Sequence, residues 1–237
     1  MASYQGSFWC SENGLYHRVD GPAVENKKLG YKYWYYNGNY HREDGPAIEI
    51  SGEDGRREWW YHGQRHNPNG PAIIYNDEIQ QEWWYLGMRH RTDGPAFVSE
   101  NKELWYFHGN LHRWHEPAVI QKNFRNEWIK MEWRIGGLLH RVGGPAVMVR
   151  GKRNEYYYKG LLHRLDGPAL ETWNQNDMYW INGKEFTKER FNKIMGICKK
   201  FNNKLKAKLR KRYEQEFLKT NLCNEKYLYK IITEYMI

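Results

Sequence analysis

The heptapeptide HREDGPA at residues 41–47 decides the fold, because close copies recur at a fixed phase along most of the chain. HRVDGPA stands at 17–23, HRTDGPA at 90–96 and HRLDGPA at 163–169, with altered copies HNPNGPA (66–72), HRWHEPA (112–118) and HRVGGPA (140–146). The histidines His17, His41, His66, His90, His112, His140 and His163 follow one another at 24, 25, 24, 22, 28 and 23 residues. Each has Gly three residues before it (Gly14 to Gly160) and Pro five residues after it (Pro22 to Pro168). All length variation lies between the Ala after that Pro and the next Gly, from 13 residues (Ala96 to Gly109) to 19 (Ala118 to Gly137). One connection per unit is therefore rigid and the other is a permissive loop. A fixed period of this length marks a stacked repeat architecture.

Working outward, the four residues before each Gly read as a strand: WYYN before Gly38, WWYH before Gly63, WWYL before Gly87. Trp34, Trp59, Trp83, Trp105, Trp133, Tyr156 and Tyr179 hold the first place, and the third, Tyr, Phe or Ile, shares their face. Apolar or β-branched residues follow Pro-Ala at Val24, Ile48, Ile73, Phe97, Val119, Val147 and Leu170, which favours a second strand. Gly admits a positive φ at the turn, and Pro is tolerated at a strand entrance. A lone two-stranded hairpin is marginal, so neighbours must stabilise one another. The expected fold is mainly β: an elongated single-layer antiparallel sheet of stacked hairpins, with roughly fifteen strands about 4.8 Å apart. SFWC before Gly14 reads as an opening strand that caps one end, and YWINGKEF (179–186) begins an eighth unit in which Phe186 replaces the His.

Gly-x-x-His after an aromatic strand, at a period of about 23–24 residues, resembles the MORN repeat in a variant form continued by R-x-D-G-P-A. The resemblance covers residues 8–186 and implies a protein-binding scaffold, in some families associated with membranes. The same repeat style, ending in W-x-N-G-K-x-(F/L) and a helix, is similar to proteins of large DNA viruses and phages, and related repeats occur in proteins labelled as antitoxins.

The net charge of +9 is not spread evenly: residues 1–186 carry 23 basic and 23 acidic side chains, residues 187–237 carry 14 and 5. The chain thus divides into a hairpin array, 1–186, and a basic α-helical segment, 187–237. Thr187 reads as the N-cap of a helix opening at Lys188. Phe191, Ile194, Cys198, Phe201, Leu205, Leu209 and Tyr213 form its apolar stripe, with Gly196 and Asn202-Asn203 as points of interruption. A second helix is expected over 225–235, after a break at Thr220-Asn221. Lys199, Lys200, Lys204, Lys206, Lys208, Arg210, Lys211 and Arg212 concentrate the charge. Three readings of this segment stand side by side. It docks on the last repeat and covers its sheet edge, it meets nucleic-acid phosphates, or it meets an anionic membrane surface.

The repeated His-Arg-x-Asp invites a catalytic reading, but catalysis needs one asymmetric constellation and these residues recur along a ladder. Asp persists only as Asp20, Asp44, Asp93 and Asp166, and Arg is replaced at Asn67. A structural role follows, with His bonding backbone groups and Asp closing a turn or capping Arg. One His per strand pair does not converge on a metal ion, and no nucleotide or hydrolase motif is present, so no enzyme, metal or cofactor is expected. Tyr35, Trp60, Trp84, Tyr106, Tyr157 and Trp180 form a second aromatic register on the opposite face. They are either covered by Arg and Lys stems and the helices, or line a groove for a peptide, helix, glycan or small molecule. The functional expectation is a non-enzymatic scaffold or inhibitor module with a protein partner. Nucleic-acid binding through the basic segment and glycan binding on the aromatic face are the alternatives.

No signal peptide is read at MASYQGSFWC, and no apolar run is long enough to span a membrane. Three scattered cysteines (Cys10, Cys198, Cys223) fit a reducing intracellular compartment, that is, the cytoplasm of a host cell or a virion.

Overall fold

The computed structural model describes residues 6–76, 78–173 and 176–212, with side chains except at 202 and 204–212. The expected second helix, the break at Thr220-Asn221, Tyr213 and Cys223 lie outside the described residues. The chain is mainly β, an antiparallel sheet of repeated hairpins followed by one helix. It falls into two compact units, Met1–Gly151 and Lys152–Ile237.

In the first unit the sheet strands pair antiparallel in chain order. They begin with Ser7–Phe8, Val24–Asn26, Tyr31–Tyr33, Ile48–Ile50 and Arg56–Glu58, and end with Trp128–Glu132 and Val147–Val149. The opening strand Ser7–Phe8 pairs with Val24 and Glu25 at the edge, as SFWC led one to expect.

The strand expected to begin at each Trp is broken there. Tyr31–Tyr33 belongs to the sheet, Trp34 to neither element, and Tyr35–Tyr36 forms a separate two-stranded ribbon with Asn39–Tyr40. Trp60–Tyr61 with Gln64–Arg65, Trp84–Tyr85 with Met88–Arg89, and Tyr106–Phe107 with Asn110–Leu111 repeat the pattern. The cause is the Pro opposite. Trp34 N–H donates to Ala47 O at 2.8 Å, the last rung, because Pro46 has no N–H and its carbonyl accepts from Arg42 Nη1 at 3.2 Å. With both backbone groups of Pro withdrawn from the ladder, the residues after Trp leave the sheet and pair in a short ribbon. They do so through a two-residue turn in which Asn37 (φ 47°) and Gly38 (φ 79°) are both left-handed, the geometry of a type I′ hairpin.

Few side chains among the described residues lose all contact with water. The Ala of every repeat does: Ala23, Ala47, Ala72, Ala96, Ala118, Ala146 and Ala169 are 0% exposed. Ile48, Ile73, Val119 and Val147 beside them are also buried, each burial contributing roughly 1.5–3 kcal/mol.

The second unit pairs Arg153–Glu155 with Leu170–Thr172 and carries two ribbons, Tyr157–Tyr158 with Leu161–Leu162 and Tyr179–Ile181 with Lys184–Phe186. Its helix, Lys188–Arg212, is capped as read: Arg190 N–H donates to Thr187 Oγ1 at 3.3 Å. The interruption expected at Gly196 and Asn202-Asn203 is absent, and the helix runs on unbroken. Its neighbours set the reason: Phe191 and Cys198, one on each side of Gly196, are both buried in a cluster with Ile181 and Phe186, with Ile194 and Met195 packed against it. Tertiary burial on both flanks outweighs a single glycine's helix cost of about 1 kcal/mol.

Candidate functional site: an aromatic–histidine ladder

The connector is built around its arginine. Arg42 lies over the Trp34 ring, 4.1 Å from its centroid, while its Nε donates to Asp44 Oδ1 at 2.7 Å. Arg18 over Trp9 and Arg91 over Trp83 repeat this at 4.0 Å each, with Asp20 and Asp93 as acceptors. In the second unit Arg164 lies 3.8 Å over Tyr156 and donates to Asp166. The hydrogen bond from the neighbouring arginine holds the carboxyls of Asp20, Asp44 and Asp93 below the usual carboxylate range. The same packing crowds the Gly of DGPA in the copies that have both residues, although in HRWHEPA Glu116 takes that place while Arg113 still lies 4.0 Å over Trp105. A Cβ at Gly94 would stand 2.8 Å from the Arg91 guanidinium carbon. Where Asn67 replaces Arg, the nearest atom to such a Cβ at Gly70 is 3.7 Å away. Of the two roles open to Asp, the structure has the cap on Arg.

The histidine links each unit to the next. His41 Nδ1 accepts the backbone N–H of His62 at 3.2 Å, the residue opening the following ribbon's turn. His17 does this for Asn37, His66 for Leu86, His90 for His108 and His112 for Gly136. In the second unit His163 accepts from Asn182. Two further backbone bonds stitch the same pair of units, Gly63 N–H to Tyr40 O and Arg42 N–H to Trp60 O. An Nδ1 that accepts does so through its ring lone pair. Burial lowers the pKa of His41, His66 and His90, aided at His41 and His90 by a neighbouring histidine.

These rings and the third residue of each aromatic triplet make one ladder through the first unit. Centroids step from His17 to Tyr36 at 4.9 Å, Tyr36 to His41 at 5.7 Å and His41 to Tyr61 at 5.1 Å. They continue through His66, Tyr85, His90 and Phe107 to His112 and Trp114. Tyr36, Tyr61, Tyr85 and Phe107 are exposed. The row of solvent-facing aromatics is thus the third position of the triplet. The signal was present in the sequence as that recurring Tyr or Phe. What hid it was the break at Trp, which changes the face that alternation along an unbroken strand assigns.

The second-position row is placed differently. Tyr35, Trp60, Trp84 and Tyr106, and Tyr157 and Trp180 in the second unit, are half-buried. Arg65 lies between Trp60 and Trp84, 4.9 and 5.3 Å from their centroids, and Arg89 is 5.0 Å from Trp84. Beneath them are buried carboxylates. Glu58, 1% exposed, accepts from Arg56 at 2.5 Å, Arg65 at 3.2 Å and Trp60 Nε1 at 3.0 Å. Glu82 takes Arg89 and Trp84 in the same way. Burial pushes the Glu132 carboxyl up, but Lys130 and Arg134 outweigh it and the net pKa is lowered. Arginine stems cover Trp60 and Trp84, whose indole N–H groups are satisfied by Glu58 and Glu82, whereas the buried Nε1 of Trp180 has no partner among the described residues.

Between successive connectors the exposed ladder opens into clefts. One of about 700 Å³ has walls of Asp20, Glu43 and Asp44 with Arg18 and Arg42, and a floor of Trp34, Tyr36 and His41. The next, about 450 Å³, lies between Glu43-Asp44 and Asn67–Asn69 over Trp59, Trp60 and Tyr61.

In the basic segment Lys199 and Lys200 are exposed on the helix, whose Phe191 and Cys198 face the core cluster, and the side chains of 204–212 lie outside the described residues. Burial pushes the Cys198 thiol up. Among the described residues no group of three His, Cys, Asp or Glu side chains could hold a metal ion, and no helix is long and apolar enough to cross a membrane. In comparisons with known proteins, no family model and no curated protein matches the chain.

Proposed function

We propose that this chain is a non-enzymatic protein-docking module, a scaffold or inhibitor that holds a partner along the aromatic–histidine ladder of its first unit. The observation that carries the reading is the regular exposure of Tyr36, Tyr61, Tyr85 and Phe107, the first two of which line the connector clefts. Exposed aromatics on a rigid frame are the side chains that dominate interface energetics. The likeness of the repeats to the variant MORN type, with its viral and phage parallels, supports the same reading, as does a reducing intracellular setting. The test is crosslinked capture from native cells with the parent chain and with Tyr36, Tyr61, Tyr85 and Phe107 all changed to Ser. Loss of a specific partner in the folded variant supports the proposal, and undiminished capture of every partner ends it.

A second reading, nucleic-acid binding, is favoured by one observation: Lys199 and Lys200 stay exposed while the apolar side of the same helix is occupied. Salt-sensitive retention of RNA or DNA, abolished by neutralising 199–212, is its requirement.

A further inference from the structure

Charge is divided within the first unit: residues 1–100 carry 14 acidic and 10 basic side chains, residues 101–151 carry 4 and 8. The acidic half holds both clefts described above. At the connectors there the two signs are not equally presented. The Asp20, Asp44 and Asp93 side chains are 83, 82 and 78% exposed, while Arg18, Arg42 and Arg91, pinned on their Trp rings, are 25, 21 and 24% exposed. Glu43 adds a further carboxylate, 79% exposed, whose near neighbour is His41 at 3.8 Å. Each arginine turns its positive end inward and leaves the carboxylate at the surface, and Asp20 and Asp44 line clefts with the exposed rings of Tyr36 and Tyr61.

We infer that the partner segment held on residues 17–107 is a stretch of a separate protein in the polyproline II conformation, with Lys or Arg at every third position. This rests on the docking reading above and names the chemistry of its partner. A carboxylate rim over an aromatic floor attracts a cation both by charge and by the ring quadrupole. Spacing selects the conformation. One repeat advances two strands, roughly 9.6 Å. One three-residue turn of a polyproline II chain covers about 9.3 Å and returns every third side chain to the same face, whereas in a β-strand residues three apart face opposite ways. A helix would need between about six and seven residues per repeat, which rotates successive side chains off the face. Nucleic acid is disfavoured here, because its phosphates would meet the carboxylates.

The test uses the full chain and a labelled synthetic peptide with Lys at every third position among Ser and Thr. Its controls have the same composition in shuffled spacing, and Glu in place of Lys. Fluorescence anisotropy should show the period-three peptide binding roughly tenfold tighter than the shuffled one, from two or more matched cation–π contacts. Added salt should weaken it, and the Glu peptide should not bind. Glu43→Lys and Tyr61→Ala, with folding checked by near-ultraviolet circular dichroism, should each weaken it severalfold.

Equal affinity for both spacings overturns the inference, as does binding untouched by Glu43→Lys. Failure of all cationic peptides while capture still depends on the ladder rings overturns it and leaves the docking reading standing. Salt-sensitive self-association of the full chain that is lost on removing residues 199–237 assigns the surface to a second copy, and overturns it too.

Discussion

The ribbons of the first unit and the last ribbon of the second use one sequence position in opposite ways. In Gly38-Asn39-Tyr40-His41 the fourth residue is an imidazole that accepts a backbone hydrogen bond from the next turn. In Gly183-Lys184-Glu185-Phe186 it is Phe186, 5% exposed, packed with Ile181, Phe191 and Cys198. A polar ring with a lone pair propagates the stack, because it leaves a specific link for one more unit. An apolar ring offers an adherent surface instead, and a helix takes it. The lesson is that one side chain per repeat chooses between continuing the array and ending it.

The largest expected effect breaks the terminal side alone. Phe191→Ala removes the helix's anchor and should cost about 3–5 kcal/mol in the unfolding of the second unit. Urea denaturation followed by helical circular dichroism should show it, with the first unit's Trp signal unmoved. An early, parallel loss of that signal would contradict the contrast drawn here.

Next is a swap between copies within the array. In four repeats the residue before Trp and the last residue of the following ribbon match in character: Tyr33 with Tyr40, Glu58 with Arg65, Glu82 with Arg89, Leu104 with Leu111; Glu132 with Leu139 departs from this. Arg65→Leu withdraws a partner from the buried Glu58 and should cost about 2 kcal/mol. Adding Glu58→Leu, so that the pair copies Leu104 and Leu111, should recover only part of it, since the apolar pair removes the under-paired carboxylate but takes the acceptor from Arg56 and Trp60 Nε1. A double-mutant cycle measures the coupling.

The connector glycines give a sharper local contrast. Gly94→Ala drives a Cβ to 2.8 Å from the Arg91 guanidinium carbon. It should destabilise by about 1–3 kcal/mol through overpacking. Gly70→Ala, with 3.7 Å of room beside Asn67, should cost less than about 0.5 kcal/mol. Comparable losses at the two sites in thermal melts would dismiss crowding by Arg91 as the cost at Gly94.

The ladder predicts a pH effect that the terminal ribbon, with Phe186, does not add to. The folded-state pKa values of His41, His66 and His90 are lowered, so the unfolded chain takes up protons first as pH falls. Stability is fully present above the unfolded histidine value of about 6.5, and is lost as pH falls from there through the folded values. The carboxylates of Asp20, Asp44 and Asp93, lowered by their arginines, lose their contribution only at pH below about 4, outside this window. Changing the three histidines to Asn, whose side-chain oxygen can still accept, should flatten the dependence of the urea midpoint between pH 7 and 5. An unchanged slope would detach it from the ladder.

The smallest effect sharpens the helix. No atom lies within 4 Å of a Cβ built at Gly196, so Gly196→Ala should stabilise the second unit by about 0.5–1 kcal/mol in the same melts.

Much of the frame was legible in the residues, because a backbone requirement repeated seven times leaves a periodic trace. Gly at the turn, Pro eight residues later, the apolar residue after Pro-Ala and the Thr187 cap each answer a local need. The fate of the aromatic rows was not legible in that way. Whether Tyr35 or Tyr36 faces solvent depends on the break at Trp34, and that break depends on Arg42 occupying the Pro46 carbonyl across the connector. The paired variation of Glu58 with Arg65 and Glu82 with Arg89 was in the sequence but has no meaning until the fold brings the two positions together.

By itself the sequence determined the hairpin array, its rigid and variable connections and the start of its helix, since these follow from φ preferences, missing N–H groups and alternation. Only the tertiary structure decided that the HRxDGPA run folds an arginine onto a tryptophan, with the carboxylate facing out and the histidine accepting from the next turn. Those outcomes depend on which groups in adjacent repeats compete for the same rings and carbonyls, and that competition exists only once the repeats are stacked.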